Sequence, residues 1–149
     1  MKRTIHVEAP VQTVFDRLKD PRYVPDGTTM HFEVTDVKET DQGVGTSYNW
    51  VSKTPVVQWE GFDVYTEFVP NQRITDRSSS SMAGDITMSF EAEGSGTKLT
   101  MESHSRSLWR FPPLRQLADL AKGMTADKFL AAVKAEVEPS APAETSKKR

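Results

Sequence analysis

The chain has 149 residues, 36% hydrophobic and 27% charged, with no cysteine, 19 basic against 21 acidic side chains and a formal net charge of −2. That length fits one domain, and the lack of cysteine excludes a disulfide framework, a thiolate nucleophile and a thiolate zinc site. The weak acidity offers no footprint for a nucleic-acid backbone, and no apolar run reaches the roughly 18 residues of a membrane-spanning helix, so nucleic-acid and integral-membrane roles are not expected.

The basic start Met1-Lys2-Arg3 is followed by Glu8, Pro10 and Asp16, which interrupt the apolar stretch a signal peptide requires. The N-terminus therefore reads as mature protein, and the expected location is cytoplasmic. Ile5 and Val7 alternate with His6 and Glu8, the period of a strand with one buried face. From Pro10 the period changes: Val11, Val14, Phe15 and Leu18 follow i, i+3, i+4, i+7, which predicts a helix ending near Lys19. Asp20-Pro21 repeats the pattern of cap and proline, so a second short helix is expected before Pro25-Asp26-Gly27.

Six further strands are predicted between Met30 and His104, around Phe32–Val34, Thr46–Trp50, Val56–Phe68, Arg73–Ser78, Ile86–Phe90 and Leu99–Ser103. Turn chemistry separates them at Asp41-Gln42-Gly43, Pro70-Asn71, Met82-Ala83-Gly84 and Glu93-Gly94-Ser95-Gly96, with connections short enough for antiparallel neighbours. Along the third of these six strands the alternation slips from Val57 and Trp59 to Phe62, Val64 and Phe68, which places a bulge at Gly61. After Pro112-Pro113 a helical pattern runs from Leu114 to Glu138. Its apolar stripe changes sides near Gly123 and Thr125, so a kink or break is expected there, with Thr125 capping the second segment. Residues 139–149 have nothing to bury and read as a flexible tail.

This order of elements, together with Ile5–Phe15, Gly43-Val44-Gly45-Thr46-Ser47-Tyr48-Asn49-Trp50, Glu67–Ile74 and Phe90–Thr100, resembles the SRPBCC superfamily. Its members include START, birch-allergen-like and polyketide-cyclase-like helix-grip proteins. The resemblance spans residues 4 to about 138 and implies an α+β helix-grip fold. In that fold a curved seven-stranded antiparallel sheet wraps around a long C-terminal helix, with an apolar cavity between them. It supplies no universal catalytic motif.

Gly43-Val44-Gly45 lacks the third glycine and the following helix of a phosphate loop, and Gly94-Ser95-Gly96 lacks the setting of a nucleophile elbow; both read as hairpin turns. Strand alternation turns His6, His31 and His104 away from the core, and no histidine pair has ligand spacing, so neither a metal nor another cofactor is expected. Among Glu60, Asp63, Asp76, Asp85 and Glu102, solvated sheet surface is the ordinary reading. Asp76 is the exception: if Ile74 faces inward so does Asp76, and such a carboxylate needs a partner, Arg73 or Arg77, or a functional reason.

Alternation assigns Phe32, Tyr48, Trp50, Phe62, Met88, Phe90 and Met101 to one concave face, joined by Leu117 and Met124 from the helix. Thr46, Tyr48 and Ser103 supply hydroxyls to orient a ligand. Aromatic and methionine side chains give a soft wall for flat, greasy molecules. The leading reading is a carrier or sensor that binds a lipid, polyketide or other aromatic compound and needs no covalent chemistry. The alternatives are a polyketide cyclase or dehydratase using Asp76 or Tyr48 as proton shuttle, and a START-like interaction module acting through Leu108–Pro113. Ligand identity, turnover and oligomeric state are not encoded in these patterns.

Overall fold

The computed structural model describes residues 1–26, 31–79, 84–105 and 112–138, with backbone alone at residues 31, 105 and 112–122. In chain order the elements are β1 (Lys2–Val7), α1 (Val11–Leu18), β2 (His31–Lys38), β3 (Ser47–Lys53), β4 (Gln58–Val69), β5 (Arg73–Ser78), β6 (Gly84–Glu93), β7 (Gly96–Ser105) and α2 (Pro112–Val137). The strands form one curved antiparallel sheet in the order β1-β7-β6-β5-β4-β3-β2. All strands after β2 are joined to their predecessors as hairpins, because connections this short allow no crossover. Glycine makes the tight corners: Gly43, Gly45 and Gly94 have φ of 85°, 92° and 62°.

Directly paired residues of an antiparallel ladder share a face, so the register decides what points inward. Val7 pairs with Thr97, Leu99 with Phe90, Met101 with Met88, Ile74 with Met88 and Phe68 with Ile74. These residues form the inner face. Against it pack Val14, Phe15 and Leu18 of α1 and Ala126, Leu130, Val133 and Val137 of α2. Phe15 meets the Phe90 and Phe68 rings edge-on, at centroid distances of 5.2 and 5.4 Å, and so closes one end of the core.

The edge strand β1 is covered by α2. Lys134 Nζ donates to the His6 carbonyl at 2.8 Å, and Glu138 Oε2 accepts the Glu8 amide at 2.9 Å, which satisfies backbone groups that an edge would leave unpaired. On the outer face His6 is held between two carboxylates, Nδ1 to Glu93 at 2.7 Å and Nε2 to Glu8 at 2.8 Å. His104 is likewise exposed, as its strand position predicts.

Three expectations are corrected. The Asp20–Tyr23 segment makes a single turn, closed by the Tyr23 amide on the Asp20 carbonyl at 3.0 Å, not a second helix. The bulge of β4 lies between Tyr65 and Glu67, so Trp59, Gly61, Asp63 and Tyr65 share a face and Phe62 points out. α2 runs through Gly123 without the expected break. Gly123 lies on its buried face, where the Arg3 guanidinium occupies the place a Cβ would take and reaches one turn on to Asp127 at 3.0 Å. A mid-helix glycine here serves close packing, and Thr125 lies within the helix and not at a new helix start.

Candidate functional site

The inner face continues past Phe68 and Ile74 toward β3 and the far ends of β4, β5 and β6. There the register sets Tyr48 of β3 opposite Asp63 of β4, Trp50 opposite Gly61, Tyr65 opposite Asp76 of β5, and Asp76 opposite Ile86 of β6. Two carboxyl groups, two phenols and an indole are thereby brought together from three strands.

The Tyr48 hydroxyl donates toward Asp63 Oδ2 at 3.1 Å and also makes a very short contact with Asp76 Oδ2. Trp50 Nε1 donates to Asp63 Oδ1 at 2.7 Å. Asp76 Oδ1 is buried and has no hydrogen-bond partner among the described residues. Burial, followed by the neighbouring charge of Asp63, pushes the Asp76 carboxyl up to about 8. Burial also drives the Tyr48 phenol far above its usual range, helped by the charges of Asp76 and Asp63. Tyr65 is raised in the same direction, burial again leading; its hydroxyl donates to the Lys19 carbonyl at 3.0 Å and ties the cluster to the end of α1. Neither arginine expected beside Asp76 is there, since Arg73 pairs with Glu67 at 2.9 Å and Arg77 with Asp85 at 3.1 Å.

Apolar side chains flank this polar centre on the sheet. The Trp50 and Phe32 rings stack with centroids 5.5 Å apart and planes inclined by 19°. Ile86, the inner-face neighbour of Asp76 and Ser103, is 42% exposed although it points toward the concave side. An inward aliphatic left in contact with solvent marks open apolar surface of the kind ligand sites use.

The residues expected at the site divide accordingly. Phe32, Tyr48, Trp50, Met88 and Ser103 share the inner face with Asp76. Phe90 and Met101 are buried in the core cluster, and so is Tyr48, whose hydroxyl alone joins it to the acids. The Thr46 hydroxyl is engaged by the Thr40 amide at 3.2 Å within the 40–46 turn. Phe62 is 44% exposed on the outer face, and Met124 is 56% exposed, outside the buried stripe of α2. The side chain of Leu117, the Leu108–Phe111 segment and the tail 139–149 lie outside the described residues. The sequence reading leaves Asp63 with the solvated sheet surface; its inward position follows from counting Trp59, Gly61, Asp63, Tyr65 as one alternation.

A separate open depression of about 550 Å³ beside α1 is lined by Thr13, Asp16, Arg17, Asp20, Arg22 and Tyr23. Asp16 pairs with Lys19 and Arg22 with both Asp20 and Glu39, Arg17 lies over the Tyr23 ring at 5.2 Å, and the depression has the character of solvated surface. Among the described residues no helix is long and apolar enough to cross a membrane.

The family model described as polyketide cyclase / dehydrase and lipid transport matches residues 1–138. No curated protein matches the chain in sequence. Among solved structures, protein CV1439 from Chromobacterium violaceum is 20% identical with a TM-score of 0.65, over 93% of this chain and 97% of that one. Protein Ms6760 from Mycobacterium smegmatis is 17% identical with a TM-score of 0.70, over 90% and 87%. The di-domain ARO/CYC StfQ of the steffimycin biosynthetic pathway is 14% identical with a TM-score of 0.70, over 93% of this chain and 44% of StfQ. At these identities the likeness is one of fold.

Proposed function

The chain belongs to the polyketide cyclase / dehydrase and lipid transport family, and from that premise we propose that the open part of its inner face binds a hydrophobic, aromatic or polyketide-like small molecule. The observation that carries this reading is the Asp63–Tyr48–Asp76 cluster, set on the inner face beside the stacked Phe32 and Trp50 rings and the exposed Ile86. A few convergent polar groups within apolar walls are what a small-molecule site requires. Burying about 300 Å² of apolar ligand surface contributes about 7 kcal/mol before ordering costs, enough for useful affinity if the face is preorganised. The trihydroxyanthraquinone emodin is a suitable probe. In a heteronuclear NMR titration it should perturb the amides of Phe32, Trp50, Ile86, Met88 and Ser103, and Trp50→Ala should weaken it several-fold. Perturbation elsewhere only, or none at millimolar probe, would overturn the reading.

A second reading, acid–base turnover in the same site, is favoured by the raised Asp76 carboxyl, because a group that titrates near neutrality serves as general acid or base. StfQ, an ARO/CYC of the steffimycin biosynthetic pathway, shares the fold. Turnover of a bound poly-β-ketone that disappears in Asp76→Asn while binding persists would establish it. Binding of that compound without conversion would leave the protein a carrier.

A further inference from the structure

The hydrogen bonds at the inner face leave room for one proton order. A phenol carries a single proton, yet the Tyr48 oxygen contacts both Asp63 Oδ2 and Asp76 Oδ2. With both acids ionised, one of those contacts would set lone pairs against each other and two negative charges would share a buried cluster, a costly arrangement. One acid must therefore be neutral and donate to Tyr48. Asp63 has a further donor, Trp50 Nε1–H on Oδ1, whereas Asp76 Oδ1 has none among the described residues. Charge settles where donors are. The chain of donation then runs from the Asp76 carboxylic acid to Tyr48, from Tyr48 to the Asp63 carboxylate, with Trp50 donating to the far oxygen of Asp63. The upward displacement of the Asp76 carboxyl is consistent with this order.

The cations on neighbouring strands do not offset that charge. Arg73 and Arg77 are paired with Glu67 and Asp85 on the outer face, and Arg3, on the inner face at the β1 edge, is engaged by Asp127. From this we infer that, among the described residues, the site holds one negative charge, fixed on Asp63 by Trp50. It selects neutral or cationic aromatic ligands bearing hydroxyl or amino groups and refuses their carboxylate counterparts. The inference rests on the reading of this face as a ligand site and narrows its ligand class; Trp50 acts in it as a positioning residue.

The test uses one ring system with three substituents, 2-naphthol, 2-naphthylmethylamine and 2-naphthoate, titrated calorimetrically into the full chain at pH 7. The naphthol and the amine should bind at least about tenfold more tightly than the naphthoate, since like charges in a partly desolvated site repel. Asp63→Asn should narrow that gap. Naphthoate binding as tightly as naphthol overturns the selectivity while leaving the ligand site standing, and failure of all three overturns the site itself and the inference with it. Carboxyl ¹³C spectra of aspartate-labelled protein give a readout independent of ligands: at pH 7 Asp63 should be ionised and Asp76 neutral, and Trp50→Phe should weaken that division. An ionised Asp76 beside a neutral Asp63 would refute the proton order.

Discussion

The indole of Trp50 lies across the backbone of Gly61 on the adjacent strand, so close that a Cβ at residue 61 would stand 2.5 Å from Cζ2. No side chain fits there, and the same placement carries Nε1 to Asp63. Gly61→Ala is therefore expected to destabilise the fold by about 1–3 kcal/mol through overpacking. It should also shift the Trp50 emission as the indole leaves Asp63. Urea denaturation and fluorescence check both, and an unchanged midpoint would contradict the close approach.

Asp76→Asn should stabilise the protein toward alkaline pH. The folded carboxyl titrates at about 8 against an ordinary 3.8, burial being the main cause. Between those values the folded chain holds a proton that the unfolded chain has released. The contribution of Asp76 to stability is thus fully present below 3.8 and is lost as pH rises toward about 8. Asparagine mimics the neutral acid and can still donate to Tyr48. The two proteins should match near pH 4 and differ by roughly 2 kcal/mol at pH 8, a figure limited by sharing of the charge with Asp63. Parallel stability curves across this range would contradict a neutral Asp76.

His6 provides a second pH-dependent contribution at the opposite face. Hydrogen bonds to Glu8 and then Glu93 raise its pKa above 6.5. Both ring nitrogens face carboxylates, so the imidazolium is the form the clamp prefers. Its stabilisation is present below pH 6.5 and is lost as pH rises through the raised value. Glu8 is correspondingly held low by His6 and Ser95. His6→Gln should make the fall in melting temperature above pH 6.5 shallower and leave the fall due to Asp76, which spans 3.8 to about 8. An unchanged profile would show that the clamp is not formed in solution.

Gly123→Ala distinguishes a packed glycine from a hinge. In an unbroken helix alanine gains about 1 kcal/mol of propensity over glycine. Its methyl displaces only the flexible end of Arg3, whose exposed pair with Asp127 is worth little. A rise in stability of about 0.5 kcal/mol is expected by chemical denaturation. Strong destabilisation would mean that the residue requires a conformation other than the helical one described.

Much of this protein is legible along the chain. The change of period after Val7, the glycine turns now seen at positive φ and the inward direction of Asp76 are local signals, set by backbone sterics and side-chain alternation. The partners of Asp76 are not local. Counting back from Phe68 turns Phe62 inward and Asp63 outward, because an irregularity between Tyr65 and Glu67 reverses the phase of everything before it. Likewise, the side change near Gly123 looks like a break until Arg3, at the far end of the chain, is found filling the missing side chain's place. The sequence by itself determined the seven strands, the first and last helices, their order and the inward direction of one acid. Only the tertiary structure decided that Asp63, Tyr48 and Trp50 surround that acid, since a one-residue slip of register moves each inner-face side chain to the opposite face.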